Sequence, residues 1–329
     1  MKVFITGATG FIGARFAMKL AIAGHDVVAI GRIETPPEAE RSNALAQHGV
    51  RVQQIPISNQ RELIRAVNGC QVAYHLAAAQ HEANVPDQHF WDINVEGTRN
   101  VLQACVASQV AHVVHGSTIG VYGSALDGEI SEESATRPDN IYGITKLEGE
   151  QVALGFKDQL MVTSIRISET YGPGDWRLLK LFRAIKSGRF FMIGNGENVH
   201  QLIYVDDLIS GLALAAQSED TNGEIITLAG PELLTTRQMC DGIAEVMGNP
   251  LSRWHVPMWP FLAMAVVMEK TLSPLGIQPP LHQRRLDFFR KSFYFSRQKS
   301  QRLLDFTPVT GIETGLAETA KWYEAQGFL

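Results

Sequence analysis

The chain has 329 residues, of which 45% are hydrophobic and 19% charged, and its net charge is −5. This length suits about two domains of roughly 100–200 residues each. Ordinary apolar content excludes a disordered chain, and the mild acidity argues against a nucleic-acid partner, which would require a basic surface. The 29 glycines exceed the roughly 7% of average usage, so their positions are of interest.

Cysteine use and hydropathy indicate a cytoplasmic protein. Cys70, Cys105 and Cys240 are scattered and odd in number, so they predict neither a disulfide framework nor a metal site. Apolar Met1–Thr6 is too short for a signal peptide. The uncharged segment Val256–Met268 is shorter than the roughly 20 residues that a membrane span needs.

The first two-thirds of the chain alternates short apolar segments with helix-length segments. Strands are predicted at Lys2–Thr6, Val27–Ile30, Val52–Ile55, Val72–Leu76, Val110–His115, Met161–Ile165 and Ile225–Leu228. Helices are predicted at Phe11–Ala23, Gln60–Val67, Asp87–Ala107, Asn140–Gly155, Asp207–Gln217, Thr236–Met247, Pro280–Lys291 and Ile312–Ala325. Strand–helix alternation with apolar strands is typical of an α/β fold, a doubly wound parallel sheet covered on both faces.

Glycine and proline pairs concentrate after Arg166, where the pattern becomes mixed. We therefore expect residues 1–166 to form a dinucleotide-binding domain, to which 202–228 return. Residues 167–201 and 229–329 are expected to form a smaller substrate-binding lobe. Within that lobe, the apolar segment Trp259–Met268 predicts a buried helix or the wall of an apolar pocket.

A glycine-rich turn follows the first predicted strand. Gly7 permits a tight turn, Gly10 lets backbone approach a pyrophosphate, and Gly13 allows the helix to pack closely on the strand. An anion would then lie at the helix N-terminus, and we expect Thr9, Phe11 and Ile12 to contact it as well. The turn predicts a bound dinucleotide.

The end of the second strand bears on which dinucleotide is bound. NAD-binding proteins usually place an acidic residue there to bind the ribose diol. Here Ile30 is followed by Gly31 and Arg32, and a guanidinium can receive a 2′-phosphate. This favours NADP, although Glu34 lies close enough to leave NAD possible.

Tyr142 and Lys146 are four residues apart and so share one face of a predicted helix. Tyrosine is a weak base at neutral pH, but a nearby ammonium favours the phenolate. Ser117 and Thr118 follow a predicted strand, at the sheet edge where ligands bind. Tyr142 is therefore the candidate acid–base group, Lys146 its partner, which also reaches the nicotinamide ribose, and Thr118 or Ser117 the group that orients a substrate oxygen.

Together these motifs resemble the extended short-chain dehydrogenase/reductases, also called the epimerase/dehydratase family. Further matches run along most of the chain: His75–Ala78, Asn94–Thr98, Ser117–Gly123, Tyr142 with Lys146, Arg166 with Tyr171–Gly174, and Tyr204–Asp207. The C-terminal segment looks nearer to the sterol-dehydrogenase and dihydroflavonol-reductase branches.

The resemblance implies that Thr118 is the catalytic hydroxyl, and it implies roles for further residues. It implies that cofactor contacts come from Leu76, Ala77, Ala78, Ile57 and Ile167. Asn94 would relay protons through water to Lys146, and His81 and Glu169 would face a small-molecule substrate. The helices Asp87–Ala107 and Asn140–Gly155 would form a homodimer interface.

Two departures from the family pattern leave the function open. Pro56-Ile57-Ser58 stands where the family often has Gly-Asp-Leu. His200-Gln201 stands where nucleotide-sugar epimerases usually have an arginine. The leading hypothesis is an NAD(P)-dependent oxidoreductase acting on the alcohol or ketone carbon of an apolar or sugar-like substrate. The alternatives are a nucleotide-sugar epimerase or dehydratase that recycles NAD, and a non-catalytic NADP sensor.

Overall fold

The computed structural model describes residues 1–80, 85–123, 128–251, 255–272, 286, 289 and 292–329. Its strands are β1 Lys2–Thr6, β2 Asp26–Ile30, β3 Val52–Gln53, β4 Val72–His75, β5 His112–Thr118, β6 Met161–Ile167, β7 Thr170–Tyr171, β8 Met192–Ile193, β9 Val199–His200, β10 Ile203–Tyr204, β11 Ile225–Leu228, β12 Leu234–Thr235 and β13 His255–Val256.

The α-helices alternate with these strands through most of the chain. They are α1 Phe11–Ile22, α2 Pro36–Gln47, α3 Gln60–Val67, α4 Asp87–Trp91, α5 Gly97–Ala107, α6 Ile141–Leu154, α7 Leu179–Lys186, α8 Val205–Ala215, α9 Thr236–Val246, α10 Met258–Leu272, α11 Gln298–Leu304 and α12 Ile312–Ala325. A π-helical turn, Asp92–Glu96, joins α4 to α5, and 3₁₀ turns lie at Ile119–Tyr122 and Glu219–Thr221.

Seven strands form one parallel sheet in the order β3-β2-β1-β4-β5-β6-β11. Helices cover both faces, with α1 and α8 packed on one face and α3 and α5 on the other. The order reverses between β1 and β4, and at such a switch point in an open α/β sheet a ligand cleft opens beyond the carboxyl ends of the strands. The predicted doubly wound α/β fold is confirmed.

The smaller strand pairs lie outside this sheet. β7 pairs with β10, β8 with β13 and β9 with β12. Their neighbourhood has its own apolar cluster, which includes Phe182 from α7, Ile243 from α9 and Tyr323 from α12. The boundary drawn at residue 166 stays a prediction.

Several predicted elements differ from the observed ones. β5 runs to Thr118 rather than ending at His115, because Gly116 and the two hydroxyl residues continue the ladder with β6. The predicted helix Asp87–Ala107 is interrupted by the π-helical turn. Helix α2 was not predicted, and its polar sequence explains why, although a capping box of Thr35 and Glu38 marks its start. Most of Pro280–Lys291 lies outside the described residues.

The apolar helix expected in the second lobe is present as α10, but the expectation that it is buried is wrong. Trp259 is 71% exposed and Val267 59%, and Ala265 is the residue of this helix that is fully buried. No residue of α10 lines the cleft described below. Among the described residues, no helix combines the length and apolarity required to cross a membrane.

Candidate active site

Two connected chambers form a cleft at the carboxyl edge of the sheet. The β2 chamber, of about 380 Å³, lies beside the ends of β2 and β3, and the β5 chamber, of about 320 Å³, lies beside the ends of β5 and β6. Both are lined by Gly7, Gly10, Leu76 and Ala78, so they meet at the glycine-rich turn. Such an elongated cleft suits a ligand with two ends joined at this turn.

The glycine-rich turn is packed too closely to admit side chains. Gly7 adopts a φ of +70°, and a Cβ added there would lie 2.8 Å from the backbone of Leu76 and Ala77. A Cβ on Gly13 would lie 2.2 Å from the Gly7 carbonyl oxygen. Helix α1 begins at Phe11 with no side-chain cap and no acidic residue in its first turn. Its free N–H groups therefore face the cleft and can bind an anion.

The predicted cofactor residues divide between the two chambers. Thr9, Arg32, Ile57 and Ala77 line the β2 chamber. Phe11, Ile12, Gly13, Ile167 and the pair Tyr142 and Lys146 line the β5 chamber. The structure thus gathers into one cleft residues that are up to 160 positions apart (167 − 7).

The wall shared by both chambers is fixed by the hydroxyl of Thr6. Its Oγ1 accepts hydrogen bonds from the backbone N–H groups of Leu76 and Ala77, at 3.1 and 3.0 Å. The same oxygen lies 2.7 Å from His75 Nδ1. One buried hydroxyl therefore accepts the hydrogen bonds of the two backbone N–H groups that follow β4 and form this wall.

The tautomer of His75 follows from its second hydrogen-bond partner, Thr98. Its Nε2 lies 2.9 Å from Thr98 Oγ1, whose own proton is donated to the Asn94 carbonyl oxygen at 2.8 Å. Nε2 must therefore carry the proton, and Nδ1 accepts the proton of Thr6. Burial, with the nearby Lys146, lowers the pKa of His75 to about 3. The ring is neutral near pH 7 and serves to orient Thr6.

Asn94 is fully buried in the π-helical turn and lines neither chamber. Its Oδ1 accepts from Ala79 N at 2.8 Å, and its Nδ2 donates to Ala79 O at 3.1 Å and to Thr145 Oγ1 at 3.0 Å. Asn94 thus holds the segment after β4 with its oxygen and one amide proton, and it joins that segment to α6 with the other. The contacts assign Asn94 a positioning role, and the water relay stays a prediction.

Lys146 is a buried charged group that lines the β5 chamber. The residue is 2% exposed, and its Nζ donates to the Gly116 carbonyl oxygen at 2.6 Å. Burial lowers the pKa of Lys146 to about 8, against the opposing effect of Glu150. Burial also keeps the pKa of His115 well below its ordinary value. His115 and His75, both near Lys146, are therefore neutral. The ammonium is the local positive charge beside Tyr142.

Of the two candidate hydroxyls, Thr118 faces the β5 chamber and Ser117 does not. Successive strand residues point to opposite faces, which separates the two. Thr118 Oγ1 accepts from Gly120 N at 3.1 Å, and this bond leaves its proton available to a substrate oxygen. The Ser117 hydroxyl is buried, with no hydrogen-bond partner among the described residues.

The two candidate substrate residues have different outcomes. His81 lies outside the described residues. Glu169 does not line the cleft, and its Oε2 accepts from His200 Nδ1 at 2.7 Å. Burial would raise the pKa of Glu169, but His200 and Arg177 outweigh it, so this pKa lies below its ordinary value.

One wall of the β5 chamber, formed by residues 168–177 of the predicted second lobe and named the second-lobe wall, was not predicted from the sequence. Ser168, Thr170, Asp175, Trp176 and Arg177 line it. Asp175 is 1% exposed, and its carboxylate accepts from Arg177 Nε and N, both at 2.9 Å. Arg177 also donates to the Thr170 carbonyl oxygen. The segment Tyr171–Gly174, matched to the family, was the available signal for this wall.

Thr6→Val tests the role of the Thr6 hydroxyl, because it keeps the side-chain shape and removes the acceptor of two buried N–H groups. The free energy of unfolding, measured with denaturant, should fall by about 1–3 kcal/mol. Amide hydrogen exchange at Leu76 and Ala77 should accelerate. Thr6→Ser retains the oxygen and should protect both amides, whereas equal exchange in Thr6→Val and the wild type would contradict the assignment.

Comparisons with known proteins agree with this geometry. The chain is 26% identical to a putative dihydroflavonol 4-reductase from Synechocystis sp. over 99% of this chain and 95% of that protein. It is 27% identical to the decarboxylating sterol-4-alpha-carboxylate 3-dehydrogenase of Bos taurus, over 80% and 79% of the two chains. The structure of UDP-glucuronic acid 4-epimerase from Bacillus cereus superposes with a TM-score of 0.81 at 22% identity, covering 99% of each chain.

At 22% identity, the likeness to the epimerase structure shows a shared fold. The family is shown by a match of the sequence. Residues 3–229 match the NAD dependent epimerase/dehydratase family, which is more than half of the chain. The resemblance drawn from the glycine turn and from Tyr142 and Lys146 is therefore confirmed. This chain belongs to the NAD dependent epimerase/dehydratase family, whose members carry out nicotinamide-dependent redox chemistry.

Proposed function

We propose that this protein catalyses reversible hydride transfer between a nicotinamide dinucleotide and the secondary alcohol or ketone carbon of a small-molecule substrate. The observation that carries the proposal is that Thr118, Tyr142 and Lys146 line one chamber together with the glycine-rich turn. This places a proton donor, a cation and an orienting hydroxyl beside a site suited to a dinucleotide. The intact set favours an enzyme over a sensor.

The cleft residues fit the cofactor. The glycine-rich turn leaves no room for side chains, and the uncapped start of α1 offers N–H groups to a diphosphate. The β2 chamber, with Arg32 and Ile57, would hold the adenosine end. The β5 chamber, with Ile167 and Lys146, would hold the nicotinamide end. A bound nicotinamide supplies or accepts the hydride.

The three catalytic residues then have distinct tasks. Thr118 donates its free proton to the substrate oxygen and holds it near Tyr142. In reduction, Tyr142 gives its phenolic proton to that oxygen, and in oxidation it takes the proton back. The Lys146 ammonium, one helical turn away, stabilises the phenolate in both directions. Its bond to the Gly116 carbonyl fixes the ammonium in this place.

The substrate would enter from the second-lobe wall. Trp176 offers an aromatic face there, while Ser168, Thr170 and Arg177 offer polar groups. Such a mixture suits an apolar or sugar-like molecule that carries a hydroxyl or a keto group. The likeness to a reductase and a dehydrogenase at 26% and 27% identity supports net oxidoreduction over cofactor recycling.

Two further properties belong to the same proposal. A homodimer would form through α5 and α6, and Ile144 on α6 is 38% exposed, which suits an interface. The supporting argument is the family resemblance of these helices. A cytoplasmic location is supported by Cys70, Cys105 and Cys240, which are free and buried, as in proteins of reducing compartments.

Tyr142→Phe tests the reaction, because it removes the transferred proton and leaves the ring in place. With a panel of carbonyl compounds and NADPH or NADH, initial rates should fall by about 10²–10⁴-fold. The dissociation constant for the dinucleotide should stay within about twofold, since Lys146 and the glycine-rich turn remain in place to hold it. Tyr294→Phe, at a tyrosine outside both chambers, is the matched control and should keep full activity.

The alternatives give different results in the same experiment. Stoichiometric dinucleotide retained through purification, with no net consumption of added cofactor, would support the recycling epimerase or dehydratase. Dinucleotide binding without turnover by any assay would support the sensor. Either result would overturn net oxidoreduction as the function.

The pH dependence should report Lys146. Because burial lowers its pKa to about 8, Lys146 is charged below that pH and neutral above it. Carbonyl reduction needs both the ammonium and the phenolic proton, so kcat/KM should fall as the pH rises through about 8. Lys146→Arg stays charged, so this fall should disappear even if the rate is lower. An unchanged alkaline limb in Lys146→Arg would assign the titration to another group.

Arg32 leads us to propose NADP as the preferred cofactor. Its guanidinium lines the β2 chamber but also lies 3.7 Å from Glu34, so the carboxylate competes with a 2′-phosphate. Arg32→Ala should weaken NADPH binding by about tenfold and change NADH binding less than twofold. Glu34→Gln should tighten NADPH. Equal losses for both cofactors in Arg32→Ala would leave NAD as the cofactor.

A further inference from the structure

Arg41 reaches the middle of the cleft from helix α2, a residue and a helix that the sequence analysis did not identify. One guanidinium nitrogen donates to the Thr9 carbonyl oxygen at 3.1 Å, and another donates to the Gly174 carbonyl oxygen at 3.0 Å. Thr9 belongs to the glycine-rich turn, and Gly174 lies within the second-lobe wall, directly before Asp175. The side chain therefore bridges the two sides of the cleft.

The charge of Arg41 has no direct partner in the part of the chain that the structure describes. Arg15, Arg166 and Arg177 each form an ion pair with a carboxylate at 2.9 Å or less. Arg41 instead bonds to two neutral carbonyl groups. Burial lowers the pKa of its guanidinium and outweighs the carboxylates around it, Glu40, Glu38 and Asp175, none of which lies within ion-pair distance. A half-buried cation with no direct ion pair can accept a further counter-charge, so this position suits an anionic ligand.

The place of Arg41 identifies the anion. It lines the β5 chamber together with Gly10, Phe11 and Ile12, where the first turn of α1 has no capping side chain. A guanidinium has five N–H donors, of which two are used here, and its planar fork matches phosphate oxygens. Arg32, the candidate for a 2′-phosphate, lines the other chamber. The chemistry that fits both Arg41 and the helix start is a diphosphate.

We propose that Arg41 binds the diphosphate of the nicotinamide dinucleotide and, through Gly174, ties the occupied turn to the second lobe. This rests on the proposed function, since the ligand is its cofactor. The arginine supplies the cation that the glycine-rich turn itself lacks. Because it spans the cleft, it also slows the release of the bound dinucleotide.

Arg41→Gln and Arg41→Lys test the proposal on the full chain, with NADH, NADPH and adenosine as probes. Calorimetry should show NADH and NADPH binding weakened by about tenfold or more in Arg41→Gln, and less in Arg41→Lys, with adenosine unaffected. Stopped-flow release of NADH should accelerate. Binding of NADH by Arg41→Gln should also depend less on salt than in the wild type. Arg65→Gln, at an exposed arginine on α3, is the matched control.

The outcomes separate this proposal from the function itself. A wild-type protein that binds neither dinucleotide overturns both. Normal NADH and NADPH binding by Arg41→Gln overturns the role of Arg41 alone, and so does a loss confined to NADPH, which would place the group at a 2′-phosphate. A loss that includes adenosine to the same extent would show general damage to the cleft and also overturns the proposal.

Discussion

The close contact of backbone on backbone at the start of α1 is the constraint on which the cleft depends. The Gly13 position admits no side chain because the Gly7 carbonyl is already there, and Gly7 lies against the backbone after β4. Helix α1 is therefore pressed onto the sheet with its first turn directed at the cleft. The residue before this turn, Thr6, holds the neighbouring strand end, so one short segment shapes the floor and one wall.

Positive charge is distributed along the cleft in a way that suits a long anionic ligand. Arg32 lines the β2 chamber, Lys146 lines the β5 chamber, and Arg41 lines the β5 chamber while bonding to Thr9 of the glycine-rich turn. Their environments differ: Arg32 is half exposed and faces Glu34, Arg41 bonds to carbonyl groups, and Lys146 is buried beside neutral histidines. In the proposed function, Arg32 selects the cofactor, Arg41 binds its diphosphate and Lys146 assists proton transfer by Tyr142.

The sequence predicted those parts of the site whose chemistry lies within one segment. The glycine spacing and the four-residue interval between Tyr142 and Lys146 each lie within one turn or one helix. Local backbone geometry therefore determines how these residues are arranged in the structure. Arg41 could not be found this way, because its role depends on where a polar helix packs against the turn. The resemblance indicated Thr118 rather than Ser117, and the true end of β5 supplies the physical reason, since strand alternation decides which hydroxyl meets the cleft. The prediction that helix α10 is buried was wrong, because apolar composition does not show which other elements pack against a helix.

The last helix takes part in the cleft through a contact of Tyr323. The Tyr323 hydroxyl, on α12, donates to the carbonyl oxygen of Asp175, whose carboxylate holds Arg177. During synthesis on the ribosome, the strands and the glycine-rich turn emerge well before this tyrosine. The nucleotide half can therefore become ordered while the chain is still growing. The second-lobe wall gains its hydrogen bond from Tyr323 only when the final helix has left the ribosome. A growing chain could then hold a nucleotide before it could turn over a substrate.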